Sequence, residues 1–206
     1  VRLLIVKLIR QIANTENYKK SFDWNISDFS NALSKIVLDQ YADVKKETSL
    51  LLMDASKFLY NTIGDHSAAI IKSLVKNLSH QHSRVRKMAL EAAGELLLTK
   101  GAGSQVKEML PGLKAASNDK TVECRKASYL VISQLLNKLP GSVLPDYEAE
   151  LLCYLLNGLS DDSQEVIVMT KELISEVGRN VRKMHMELEA IRDGDITMNT
   201  TATSVQ

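Results

Sequence analysis

The feature that most limits what this chain can fold into is a repeat. A β-branched or small apolar residue followed by a basic one stands at Val1-Arg2, Val44-Lys45, Val85-Arg86 and Cys124-Arg125, and the slot returns at Val166-Ile167. The spacings are 43, 41, 39 and 42 residues. Six positions before the basic slot lies a polar residue: Asp39, His80, Asp119 and Asp161. A fixed period in this range, carrying the same short motif, predicts an array of stacked units rather than one irregular globule.

The apolar positions share the register. Two, six and nine residues before the polar slot come Val37, Leu33 and Ser30; Leu78, Leu74 and Ile71; Ser117, Leu113 and Leu110; Leu159, Leu155 and Leu152. Ten of these twelve are aliphatic, at helical intervals. Seven, eight and eleven residues after the Val slot, all fifteen positions are apolar, from Leu8, Ile9 and Ile12 to Leu173, Ile174 and Val177. Each unit therefore reads as two antiparallel helices. Second helices are predicted over Val1–Ala13, Ala42–Thr62, Ser83–Lys100, Thr121–Leu139 and Ser163–Ile191. First helices are predicted over Ser27–Leu38, Ser67–Leu78, Ser104–Ser117 and Asp146–Leu159. Gly64-Asp65, Gly101-Ala102-Gly103 and Pro140-Gly141 punctuate the joints between units. Pro111 falls inside a first helix and is expected to kink it.

The expected fold is all-α, an α-solenoid of antiparallel helix pairs of the HEAT or armadillo kind, about 4.5 repeats long. Residues 1–191 form the array: one second helix, then repeats at about 25–64, 65–102, 103–141 and 142–191. Residues 192–206 are polar, Thr-rich and aperiodic, and read as a tail or linker. The chain opens in mid-pattern at Val1, as a fragment of a longer protein would.

Composition excludes several function classes. Lys and Arg number 26 against 25 Asp and Glu, so the net charge of +1 offers no basic field for nucleic acid or a membrane surface. No apolar run approaches the ~20 residues of a membrane span. Cys124 and Cys153 form neither a disulfide framework nor a zinc pattern, which suits a reducing compartment. There is no Gly-rich phosphate loop, nucleophile elbow or helical His-Glu metal motif, so no catalytic residue, cofactor or metal is expected. His80-x-His82 is half a metal site at most, at a helix–helix turn with no third ligand nearby in sequence. Arg179, Arg182, Lys183 and His185, flanked by Glu176, Glu187 and Glu189, read as a solvated helix face.

An Asp before the turn and a Val-Arg after it, in helix pairs of about 40 residues, make the chain resemble the HEAT-repeat family. In that family the Asp and Arg form a ladder between successive units. Carried over, the resemblance implies a structural ladder of Asp39, Lys45, Arg86, Asp119, Arg125 and Asp161. Two rungs depart from the pattern, since His80 replaces Asp and Ile167 replaces the base. Longer strings are similar to the amino-terminal half of the axonemal dynein assembly factors within that family. They are Val1-Arg2-Leu3-Leu4, Val44-Lys45-Lys46-Glu47, Leu78-Ser79-His80-Gln81-His82 and Glu176-Val177-Gly178. That likeness implies a cytoplasmic, non-enzymatic scaffold that pre-assembles ciliary dyneins, with dynein chains and chaperones as partners. A transport or phosphatase adaptor, or a microtubule-associated brace, is the alternative for the same fold. The candidate partner-binding face lies on the exposed side of the second helices, which line the concave face, at Lys46, Glu47, Lys87, Glu91 and Lys126.

Overall fold

The apolar stripes fix the architecture, because a short amphipathic helix buries its stripe only against neighbours. The computed structural model describes residues 1–15, 22 and 24–202, with side chains through Lys183 and at Met186. The second helices are α1 (Arg2–Ala13), α3 (Ala42–Phe58), α5 (Ser83–Leu97), α7 (Val122–Lys138) and α9 (Gln164–Ala202). The first helices are α2 (Ile26–Ile36), α4 (Ala68–Asn77), α6 (Val106–Ser117) and α8 (Glu148–Asn157). No strand occurs among the described residues. The fold is the all-α solenoid of helix pairs that the period requires.

Second helices pack on one another in series, α1 on α3, α3 on α5, α5 on α7 and α7 on α9. Contacts between successive first helices thin from α2–α4 to α6–α8. Sustained packing of second helices beside thinning contacts of first helices is what a stack curved with the second helices on its concave side requires. Between the layers runs one core, in which Leu51, Leu52, Leu74, Leu96, Leu113, Ile132, Leu135 and Leu155 are fully buried. The slot four residues after Val holds Thr48, Ala89, Ser128 and Thr170, all 0% exposed, so small residues let the paired helices cross closely.

There are three local departures. Several joints are 3₁₀ turns rather than more α-helix: Ile63–His66, Ala102–Gln105, Leu144–Asp146 and Gly158–Ser160. Pro111 sits exposed inside α6, and the helix runs through it to Ser117. Leu8, placed in the core by the pattern, is 55% exposed, and Leu4 and Ile5 beside it are 69% and 48% exposed. No first helix among the described residues packs on that side of α1. At the other end, α9 continues to Ala202 and so takes in most of the stretch that reads as a tail, while residues 203–206 lie outside the described ones.

Candidate partner-binding face

The face is built on the turns that join first to second helices. In each, the polar slot accepts the backbone N–H two residues on. Asp39 Oδ1 takes it from Tyr41 at 2.9 Å, Asp119 Oδ1 from Thr121 at 2.8 Å and Asp161 Oδ1 from Ser163 at 2.8 Å. This Asx turn brings the chain in extended at Tyr41 and Thr121, so that the second helix starts at a fixed angle. His80 does the same job with its ring: Nδ1 accepts the N–H of His82 at 3.1 Å. That bond requires the lone pair on Nδ1, and hence a neutral imidazole protonated at Nε2.

The same carboxylates reach across to the preceding unit. Arg86 binds Asp119 through two parallel bonds of 2.6 and 2.7 Å and donates a third, of 2.8 Å, to the carbonyl of His80 in its own turn. Arg125 repeats this with Asp161 at 2.8 and 2.8 Å and with the carbonyl of Asp119 at 2.9 Å, and also pairs with Asp162. Arg2 pairs with Asp39 at 2.7 Å. The hydrogen bonds to Asp119 raise the pKa of Arg86 further. Burial pushes the Asp119 carboxyl up, but the hydrogen bonds from Arg86 and Thr121 outweigh it and hold the group at about 2.

Lys45 lies elsewhere. Its slot faces His80, which offers no carboxylate, and its Nζ donates instead to Asn77 Oδ1 at 2.8 Å. Asn77 in turn donates to the carbonyl of Val37, at the end of α2, at 2.7 Å. Lys45 is only 8% exposed, and that desolvation lowers its pKa despite the field of Asp39. Asp39 is thus joined to Arg2 of the preceding unit, and the rung from Lys45 to the following unit passes through a neutral amide. Sequence reading missed Asn77. The available signal was a polar residue at the buried end of an apolar helix, three positions before the one slot without a carboxylate.

A second, outer row of charges crosses the same junctions. Lys126 reaches Glu165 at 3.1 Å and Lys87 reaches Glu123 at 3.8 Å. Arg10 reaches Asp54 at 2.6 Å and Glu47 at 3.2 Å, a pairing the sequence reading did not anticipate. The five residues assigned to the partner face, Lys46, Glu47, Lys87, Glu91 and Lys126, lie half-buried on α3, α5 and α7 in this row. Lys46 pairs with Asp43 at 2.7 Å within its own helix, and Lys87 with Glu91 at 3.8 Å. Two adjoining grooves of about 570 and 480 Å³ run along α1, α3 and α5, with Leu3, Leu50 and Met88 half-buried in the larger. A third, of about 640 Å³, lies along α9 between Ile174 and Met186 and includes Arg179, Arg182 and Lys183; the side chains of His185, Glu187 and Glu189 are outside the described residues. Among the described residues no three of His, Cys, Asp and Glu stand where they could hold one metal ion. The His80 and His82 rings lie 5.3 Å apart. No described helix is long and apolar enough to cross a membrane.

The sequence of residues 1–187 matches the family described as dynein axonemal assembly factor 5-like, TPR repeats. The chain belongs to that family. Among curated relatives it is 23% identical over 187 residues to dynein axonemal assembly factor 5 of Xenopus laevis, covering 91% of this chain and 22% of the relative. It is 26% identical over 163 residues to the Homo sapiens protein of the same name, covering 79% of this chain and 19% of that one. The chain therefore spans about a fifth of the length of these family members. Among solved structures it is similar to a designed armadillo-repeat protein in complex with the peptide (KR)4, with a TM-score of 0.63 at 19% identity over 82% of this chain and 72% of that one. A computationally designed armadillo-repeat protein for modular peptide recognition matches with a TM-score of 0.58 at 17% identity, over 82% and 73%. The family's name speaks of TPR repeats, but here the helix pairs recur every 39 to 43 residues, and the solved neighbours are armadillo arrays.

Proposed function

We propose that this chain is a non-enzymatic, protein-binding scaffold that acts in the cytoplasmic pre-assembly of axonemal dyneins, holding dynein chains and chaperones on its second-helix face. The observation that carries this reading is the family match along residues 1–187, to relatives named for dynein assembly. The fold supports it. A solenoid stabilised at its helix interfaces presents a long, charged and grooved inner surface, and such surfaces serve protein recognition. On this reading Arg86, Asp119, Arg125 and Asp161 keep the curvature, while Lys46, Glu47, Lys87, Glu91 and Lys126 meet the partner. Residues 1–191 then act as one array and 192–206 as a linker.

The test is affinity purification of the tagged full-length protein from the cytosol of cells building cilia, read by mass spectrometry. The expected result is recovery of dynein heavy or intermediate chains together with chaperones. Recovery of nuclear-transport or phosphatase subunits instead would leave the fold standing and sink the dynein assignment.

A further inference from the structure

The outer row of charges follows a rule at two junctions that the junction of α3 and α5 reverses. The residue two after the Val slot in one unit meets the residue one before that slot in the next. At two junctions this pairs Lys126 with Glu165 and Lys87 with Glu123. At the junction of α1 and α3 the same two positions hold Leu3 and Asp43, and at that of α3 and α5 they hold Lys46 and Arg84. There two cations stand where the two later junctions set a cation against a carboxylate. Lys46 turns back to Asp43 on its own helix, and Arg84 is exposed with no carboxylate partner among the described residues. Both line both grooves on this face. The floor of the larger one is apolar, from Leu3, Leu50 and Met88.

We infer that this junction is a docking site for a short acidic segment of a partner protein, whose carboxylate enters between Lys46 and Arg84 and whose neighbouring aliphatic side chain lies on Leu50 and Met88. This deepens the scaffold reading and rests on it. The missing negative charge of the repeat is supplied by the ligand, at the place where the units themselves leave it out. Charge complementarity over an apolar floor gives such a site its selectivity. A nucleic acid suits the groove less well. Asp43 and Glu47 line it, Glu123 stands at the next junction, and a long polyanion would meet all three.

The test is fluorescence anisotropy of the 206-residue chain with a fluorescein-labelled peptide of sequence Gly-Leu-Glu-Glu-Leu-Glu-Gly. A peptide with Lys for each Glu and polyuridylate serve as comparisons. The acidic peptide is expected to bind and the lysine peptide not to. Arg84→Glu should weaken binding about tenfold or more, while the melting temperature holds or rises, because the new carboxylate restores the rung to Lys46. Arg84→Gln should weaken binding less, and Lys138→Glu, at the exposed end of α7, should change nothing. Equal binding by the Arg84→Glu and unaltered chains, or displacement of the acidic peptide by polyuridylate, overturns the inference. The scaffold reading is separated by purification from ciliating cells. If Arg84→Glu binds the peptide like the unaltered chain and both capture dynein chains, only this site is wrong; if the unaltered protein captures none, the scaffold reading falls.

Discussion

At the scale of single residues, the inter-unit contacts are charge-assisted hydrogen bonds whose worth depends on the slot residue. Asp119 is 11% exposed and ionised down to about 2, whereas its ordinary value is near 3.8. A depressed acid contributes stability that is complete above the ordinary value and is lost as pH falls through about 4 toward 2, on the order of 2 kcal/mol here. His80 behaves differently. Burial first, and then the field of Lys45, lower its pKa below the ordinary 6.5. The unfolded chain therefore takes up a proton before the folded one, and stability falls as pH drops below about 6.5. His80→Asp keeps the acceptor for the N–H of His82 and adds a carboxylate beside Lys45. Thermal melts of the two proteins should differ most at pH 5 to 6, where the variant is the more stable, with their acid limbs below pH 4 alike. A variant less stable than the parent across this range would show that Lys45 and Asn77 form the better rung. The ladder's Asp and Arg positions were legible because they repeat. Asn77 was not, because it compensates for an exception and so has no period to reveal it.

At the scale of elements, the period and the apolar register made the helix pairs, their order and their paired faces readable from sequence. The ends of the helices were less so. At Gly101 the chain takes a φ of +90°, which only glycine adopts without strain, and this turn lets the Lys100 N–H donate to the carbonyl of Tyr60 at 3.0 Å in the preceding unit's joint. Gly64 faces the carbonyl of the same Lys100, and a Cβ built there would lie 2.0 Å from its oxygen. No flexible side chain can give way, since the obstacle is backbone. That constraint arises between two joints some 40 residues apart, and neither one alone carries its signature. Gly64→Ala should therefore cost about as much as a core deletion, although it adds only a methyl group. Leu74→Ala, at a fully buried site between α4 and its neighbours, should cost about 2–5 kcal/mol by the cavity it opens. Chemical denaturation of both variants checks this. A loss under about 0.5 kcal/mol at Leu74, the size typical of surface sites, would mean that the register is misassigned.

At the scale of the whole molecule, an array in which each unit touches only its neighbours has stability that is a sum over interfaces, so damage should stay local. The two ion-paired rungs allow that to be tested with matched chemistry, since Arg86 and Arg125 each make a two-bond pair to a carboxylate of the next unit. Removing one partner of such a pair leaves an uncompensated charge and costs about 3–5 kcal/mol where the pair is buried. Arg125→Ala weakens the junction between α7 and α9, which binds the last helix pair of the described array. Amide exchange should then accelerate in α8 and in the Gln164–Arg182 part of α9, with α3 and α5 as protected as before. Arg86→Ala breaks the middle instead, between α5 and α7. Neither side retains enough buried surface to stand far above its own unfolding, so protection should fall in both, and one broad melting transition at lower temperature should replace the sharp one. Equal, uniform loss of protection in the two variants would mean that the chain unfolds as a single cooperative body. The curvature of its inner face would then be set by the whole core and not rung by rung.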